Sequence, residues 1–265
     1  MGQPVHVIVF AESEDAGLEA CARALAELRR VEARLSLFDD ASDLCELNRH
    51  AGRRPMRVDQ DLRAVLCAAE AFRAQTAGAF DPAVEPLMRT WGFHRPRRSP
   101  PTATEIAAAR AAVAAAVVRV EERVVTLPSA STQLDFGGIA VGYGIDRAVA
   151  VLRSLGIERA FLDVSGDCYG LGAPPGEPEG WLVGVAGSAQ SVRLRDMGLA
   201  TSANSVSRHV MNPETGRPVS GHQQMTVLAH TALIADALST GALVSGHAPA
   251  GVRAIVGSTP RPFHS

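Results

Sequence analysis

Hydrophobic and polar positions are arranged along this chain in several distinct periods. Val5-His6-Val7-Ile8-Val9-Phe10 is β-rich and predicts an opening strand. Ser13 can cap a helix in which Leu18, Cys21, Leu25, Leu28, Val31 and Leu35 recur at three- and four-residue steps, forming one core-facing stripe. A polar turn through Ser36 to Ser42 ends it, followed by Leu44-Cys45-Glu46-Leu47-Asn48. A second helix starts near Asp59 and puts Leu62, Leu66, Ala69 and Phe72 on one face until Gly78. In Ala79-Phe80-Asp81-Pro82 the proline forces Asp81 out of the helical region and leaves a carboxylate on a stiff turn beside an aromatic ring.

Residues 95–102 read as a loop, and an alanine-rich helix follows from about Thr104 to Ala115, packed by Ile106 and Val113. Val117 to Val120 and Val124 to Leu127 flank Glu121-Glu122-Arg123 and predict a hairpin. Further on, Ala160 to Val164 is a buried strand ending at Ser165-Gly166-Asp167. Short strands are expected at Trp181 to Val185, Val192 to Leu194, Leu199 to Thr201, Met225 to Ala229 and Ala254 to Val256, with a helix over Ile234 to Leu243. Helices and strands intersperse without a regular βαβ repeat, which predicts an α+β fold with a mainly antiparallel or mixed sheet and flanking helices. One domain over 1–265 is expected, with a soft division near residue 130 separating two lobes that share a cleft.

Composition narrows the function classes. The 265 residues are 46% hydrophobic and 20% charged with a formal net charge of −2, so a globular core is affordable. No apolar run reaches the roughly 18 residues of a membrane span. All basic residues are Arg; the small clusters at Arg53, Arg54, Arg57 and Arg95, Arg97, Arg98 lack a nucleic-acid module, so no nucleic-acid partner is expected. Cys21, Cys45, Cys67 and Cys168 show no C-x-x-C pairing, and Cys21 and Cys67 fall on apolar helix faces, which argues against a disulfide framework or a zinc site. As written, without a charged-then-apolar leader, the chain is expected in the cytoplasm; a periplasmic protein with its leader removed would read the same.

The chemistry centres on Leu134 to Asp146. A polar-tipped strand end runs into Gly137-Gly138 and then into a helix carrying Ile145, Val149 and Leu152, stopped by Gly156. Glycines there let a ligand approach the backbone, and the first helical amides suit a phosphate, although a plain strand-to-helix turn would carry the same residues. Generic nucleotide motifs do not fit: Gly137 to Gly144 lacks the Gly-Lys-Ser/Thr of a P-loop, and Gly166 to Gly172 opens no helix. Neither G-x-S-x-G nor H-E-x-x-H occurs.

Taken together, the pieces resemble the ApbE-type flavin transferases (FAD:protein FMN transferases). Met1-Gly2 looks like that family's opening. Leu35 to Leu44 with Leu47-Asn48 resembles its serine-aromatic-Asp…Ser…Leu-Asn segment. Gly78-Ala79-Phe80-Asp81-Pro82 followed by Trp91-Gly92-Phe93, Asp135 to Asp146, His209 to Pro218, and Ala235-Asp236-Ala237-Leu238-Ser239-Thr240 resemble four further blocks, all in register. The resemblance implies an ApbE-like fold that binds FAD as substrate, holds Mg²⁺ at the pyrophosphate, and transfers FMN to a Ser or Thr hydroxyl of an acceptor protein, releasing AMP.

On that resemblance, Asp236 and Thr240, one helical turn apart, offer a carboxylate and a hydroxyl to one hard cation, with the backbone carbonyl of Gly138 as third ligand. His209 is the candidate general base, with Asp236 counted in the catalytic set. Met1, Phe38 and Phe80 would supply apolar walls, while Ala79, Asp81, Asp135 and position 141 would line the FAD site. The other histidines, including His94, His222 and His230, read as surface or structural. The sequence departs from the family pattern at Val141, where a polar residue is common, at Asn212 in place of Asp, at Leu37 and at Ser205. These departures keep two alternatives in view: an FAD pyrophosphatase giving FMN and AMP, and a degenerate flavin-binding protein without catalysis.

Overall fold

The main sheet of the protein combines strands with alternating burial at one edge, Val5–Phe10 and Arg159–Val164, with inner strands Asp167–Leu171, Met197–Ala203 and Gln223–Ala229 that are buried in continuous runs. The computed structural model describes residues 4–94, 97–204, 210–221 and 223–258. The chain opens with strand β1 (Val5–Phe10), helix α1 (Glu14–Leu35), helix α2 (Asp43–His50) and the short strand β2 (Met56–Arg57). Helices α3 (Gln60–Gln75), α4 (Glu85–Trp91) and α5 (Ala103–Ala114) follow, then the hairpin β3 (Arg119–Glu121) and β4 (Val124–Thr126). After helix α6 (Ala140–Ser154) come β5 (Arg159–Val164), β6 (Asp167–Leu171), β7 (Trp181–Gly184), β8 (Ser191–Leu194) and β9 (Met197–Ala203). The ribbon β10 (Met211–Asn212) with β11 (Arg217–Pro218), then β12 (Gln223–Ala229), helix α7 (Ala232–Ser245) and β13 (Arg253–Ser258) complete the described residues.

The main sheet runs β1-β5-β6-β9-β12-β13 and every pairing in it is antiparallel, in keeping with the α+β expectation. Its β1–β5 pairing joins segments from either side of residue 130. Between β5 and β6 the turn is made by Ser165 and Gly166, both with positive φ (56° and 98°), as a two-residue hairpin with right-handed twist requires. That turn carries Asp167 onto the first position of β6.

Helices cover the sheet on the side where the cores form. Leu28 of α1, Ile145, Ala148, Val149 and Leu152 of α6, and Leu162 and Val164 of β5 share one buried cluster. A second, larger cluster joins α3 (Leu62, Val65, Leu66, Ala69, Phe72) to Phe80, Val125, Phe136, Ile139 and Leu238. The α3 stripe predicted from spacing is buried in full. On α1 the stripe is rotated from the predicted one: Ala20 and Ala24 are buried with Leu28, Val31 and Leu35, whereas Leu18 is 62% exposed. The α1–α6 approach is close, and small residues fit there where Leu18 would not. Cys67 is likewise exposed, on the outer side of α3, and Cys21 is only partly buried. No helix among the described residues is long and apolar enough to cross a membrane.

One side chain fixes the start of α7 against α6, and it matters because α7 carries the expected metal ligands. Asp146 of α6 accepts the amides of Ala232 (2.8 Å) and Leu233 (3.0 Å), satisfying orphan donors at the start of α7 together with the Thr231 cap. Burial outweighs those bonds and pushes the Asp146 carboxyl up to about 6. An unfolded Asp titrates near about 3.9, so the folded state binds the extra proton across the intervening window. The contribution of Asp146 to stability therefore falls as pH rises from about 4 to 6. We expect the melting-temperature difference between wild type and Asp146→Asn to shrink over that range and to stay flat above it, read by paired thermal melts; a difference independent of pH would contradict the assignment.

Candidate active site

A site for a nucleotide needs hard oxygen donors, a wall for a planar ring and a way in. Ser42 and Thr76 prepare the framework locally. Ser42 caps α2 by accepting the Cys45 amide at 3.1 Å, and Thr76 Oγ1 accepts the Phe80 amide at 3.0 Å as the chain leaves α3. Asn48, buried on α2, then fixes the backbone of Leu134 from both sides: its Nδ2 donates to the carbonyl and its Oδ1 accepts the amide, each at 2.8 Å. The Asp135 amide donates to the Pro82 carbonyl at 2.8 Å. Segments far apart in sequence are thereby drawn together around Asp135 to Gly138.

At that junction Asp135 Oδ1 accepts the Gly137 amide at 2.7 Å. Ile139 and Ala140 donate their amides to the Phe136 carbonyl, at 3.1 and 2.9 Å. The Gly142 amide goes to Asp236 Oδ2 at 3.0 Å. The row of helix-start amides expected to face a phosphate is thus largely engaged by the protein itself. Asp236 lies within α7, yet its carboxylate serves as the N-terminal cap of α6, which has no cap side chain of its own at Ile139.

The glycines at 138 and 142 are required by close approach. A Cβ on Gly138 would stand 2.8 Å from Thr240 Oγ1, and one on Gly142 would stand 2.3 Å from the Ala232 carbonyl oxygen. The Gly138 backbone, the Thr240 hydroxyl and the Asp236 carboxylate accordingly converge on one wall. Ser202 Oγ lies 3.0 Å from Thr240 Oγ1 and 2.8 Å from Ser239 Oγ, which fixes the rotamer of the threonine.

Asp167 joins them, and no sequence signal marked it out. It sits on β6 with Oδ1 accepting the Thr201 amide at 3.0 Å, and it lines the same cavity as Asp236. Burial, and after it the charge of Asp167, raises the Asp236 carboxyl well above the usual range; burial, followed by the charge of Asp163, raises Asp167 too. Two acidic groups drawn into one desolvated wall favour sharing a positive charge. Carboxylate, hydroxyl and carbonyl oxygens are the donor set of a hard divalent cation such as Mg²⁺, so the residues present fit that ion.

This wall belongs to a cavity of 580 Å³ lined also by Phe38, Ala79, Phe80, Asp81, His94, Asp135 and Gly137. A second compartment of 780 Å³ continues from it, sharing Phe38, Asp135 and Gly137 and adding Arg29, Leu37, Phe136 and Val141. Each is the size of a small-molecule site. Phe38 is 80% exposed and stands at the joint, whereas Phe80 is buried against Phe72 (ring centroids 6.4 Å apart, edge-on) and presents only an edge of the core. Asp81 is held inside by Arg73 (3.0 Å) and by the Ala83 amide (2.8 Å), with burial raising its carboxyl. Val141 lines only the second compartment.

The turn through residues 212–216 keeps its shape with asparagine: Asn212 Oδ1 accepts the Thr215 amide at 2.9 Å. Trp91 Nε1 donates to the Gly216 carbonyl at 2.8 Å and ties α4 to that turn. Met1, Ser205, His209 and His222 lie outside the described residues.

Comparison with known proteins gives the family and the fold. The pattern of the ApbE family matches residues 1–257. A "FAD:protein FMN transferase" of Treponema pallidum is 31% identical over 251 residues, covering 83% of this chain and 69% of the relative, and one of Haemophilus influenzae is 28% identical over 246 residues, covering 83% and 70%. Among solved structures, the flavin transferase ApbE of Vibrio cholerae superposes with a TM-score of 0.79 at 26% identity, covering 92% of this chain and 84% of that one. The ApbE protein of Thermotoga maritima gives 0.82 at 27% identity, with 92% and 84% covered.

Proposed function

The chain belongs to the ApbE family, and on that premise we propose that it is an FAD:protein FMN transferase that uses Mg²⁺ and moves FMN from FAD to a Ser or Thr hydroxyl of an acceptor protein, releasing AMP. The observation that carries this reading is the convergence of Asp236, Thr240 and the Gly138 backbone on one wall of a two-compartment cleft. FAD is a dinucleotide with a planar group at each end, so two joined compartments suit it better than one. The exposed Phe38 ring at the joint offers an apolar face to either group.

In the reaction the acceptor oxygen attacks the phosphorus of the FMN half. The new P–O bond forms as the bond to AMP breaks, and the hydroxyl proton leaves to a base. Asp236, Thr240 and the Gly138 carbonyl would hold the cation, which supplies neutralisation of charge on the pyrophosphate. Asp236 also keeps α6 in place through the Gly142 amide, so the same carboxylate fixes the wall it serves. Ser202 holds the Thr240 hydroxyl in register. His209 is our candidate for the proton acceptor, on its place in the His209 to Pro218 block.

Incubating the protein with FAD, Mg²⁺ and a peptide bearing an Asp-Gly-x-Ser/Thr acceptor, followed by mass spectrometry and chromatography, tests the reading. Peptide carrying FMN together with free AMP is expected. Free FMN plus AMP without modified peptide would make the protein a pyrophosphatase, and unchanged FAD would remove catalysis altogether. His209→Ala is expected to slow transfer by ~10²–10⁴-fold while FAD still binds. A wild-type rate in that variant would exclude His209 as base.

A further inference from the structure

His94 directly follows the Trp91-Gly92-Phe93 block, and the structure gives it a setting that spacing alone did not suggest. Its Nδ1 is 2.5 Å from Glu85 Oε2, and its Nε2 is 3.6 Å from Asp135 Oδ2. Glu85 is buried at the start of α4, and its other oxygen is taken by Arg89 at 3.0 Å. The Phe38 ring meets the imidazole edge-on, with centroids 5.3 Å apart. His94 thus touches three features at once: helix α4, the Asp135–Gly137 turn and the ring at the joint of the two compartments.

We propose that His94, as its imidazolium, is a positioning residue for the dinucleotide, clamping the Asp135–Gly137 turn to α4 and setting the Phe38 ring over the cleft. The inference rests on the flavin reading above. A bound metal ion is a poorer account of the same three side chains: the Glu85–His94 contact is a hydrogen-bond distance, with no room for an ion whose bonds to N and O are each about 2 Å.

Charge favours the protonated form. Burial lowers the His94 pKa and Arg89 opposes protonation, but the Glu85 hydrogen bond and the charges of Asp135 and Glu85 outweigh them, so the net shift is upward. Across the adjoining depression the other charged groups facing His94 are Asp40 and Arg49, and Arg49 donates to the Asp40 backbone carbonyl. A His with a raised folded pKa contributes stability that is complete below about 6.5 and is lost as pH rises through the folded value. Deprotonation also removes one positive charge from beside Asp135, on the lining of the cavity proposed to take the anionic pyrophosphate.

The test is FAD affinity against pH, by flavin fluorescence or calorimetry, in wild type and His94→Gln. At pH 6 the variant is expected to bind FAD about tenfold more weakly, the low end of what a charge-assisted hydrogen bond contributes, with KM raised and kcat within about twofold. Wild-type affinity should fall toward that of the variant as pH passes the His94 titration, while the affinity of the variant stays flat across the same step. Equal affinities with the same pH profile would overturn the proposal. An NMR titration of the His94 imidazole in the ligand-free protein speaks to it even if His94→Gln folds poorly. A midpoint above 6.5 is expected, and one at or below that value would sink the clamp. Should wild type bind no FAD at any pH, the flavin reading fails instead, and the NMR midpoint still reports on His94 separately.

Discussion

Asp236→Asn should retain the fold and lose transfer by at least about 10³-fold in the presence of Mg²⁺ and FAD. The asparagine is the informative substitution because Asp236 has two tasks. Its Oδ2 caps α6 through the Gly142 amide, and an amide oxygen in the same place accepts that bond equally well. What asparagine cannot supply is the negative charge beside Thr240 and Gly138. The side chain is buried, so no water stands in for the missing charge, and the magnitude follows from removing a full ionic ligand from a desolvated site. Circular dichroism and thermal melts would establish the fold. Binding of Mn²⁺ followed by electron paramagnetic resonance would read the cation directly. Turnover close to wild type in a folded Asp236→Asn variant would remove the metal assignment, and with it the main support for the proposed reaction.

Gly142→Ala should destabilise the protein by ~3 kcal/mol, lowering the melting temperature by roughly 2–4 °C for each of those. On propensity alone the change ought to help, since alanine is favoured over glycine inside a helix by about 1 kcal/mol. The tertiary contact decides otherwise. The new Cβ would sit 2.3 Å from the Ala232 carbonyl oxygen and 2.6 Å from its carbon, and both atoms are backbone of a buried helix that cannot swing aside. Helix α7 must move away from α6, and the Gly142–Asp236 bond goes with it, so activity should fall further than stability alone explains. Gly144→Ala, one half-turn on, is the internal control: its Cβ would meet side chains alone, the tip of Leu28 (Cδ2) at 3.3 Å and Val31 at 3.7 and 4.0 Å, the latter ordinary van der Waals contacts. That variant should be near neutral. If Gly142→Ala melts at the wild-type temperature, the α6–α7 contact is not as close as the backbone distances make it.

These two residues also show how far the sequence could be read. The Asp135 to Asp146 and Ala235 to Thr240 blocks were legible as helix starts and turns, and spacing put Asp236 and Thr240 on one helical face. That α7 would lie across α6, so that Asp236 caps a helix almost a hundred residues earlier, was not legible. Local periodicity reports which face of a helix is apolar, but not which other helix that face meets. Asp167 illustrates the same gap: within the sequence it is one more polar residue after a Ser-Gly turn. Only the β6–β9 pairing and the position of α7 turn it toward Asp236. His94 reads in the sequence as surface or structural because a lone histidine after an aromatic has no period of its own, and its partners come from nine and forty-one positions away.

Two expectations shifted for identifiable reasons. The α1 stripe rotated toward Ala20 and Ala24, because close packing selects small residues where hydrophobicity alone would have chosen Leu18. Of the helix-start amides expected to receive phosphate, those of Gly137 and Gly142 go to the Asp135 and Asp236 carboxylates and those of Ile139 and Ala140 to the Phe136 carbonyl, because acceptors within the chain lie close enough to satisfy them.

By itself the sequence determined the type of most elements (α4 and β6 were not among them), the α+β class and the family to which the chain belongs, since these are written in local periodicity, turn chemistry and contiguous motifs. The tertiary structure alone decided which carboxylates face one another, which glycines are needed for contact and where the cleft divides. Those properties depend on distances between segments remote in the chain, and such distances are set by packing rather than by any residue's neighbours in sequence.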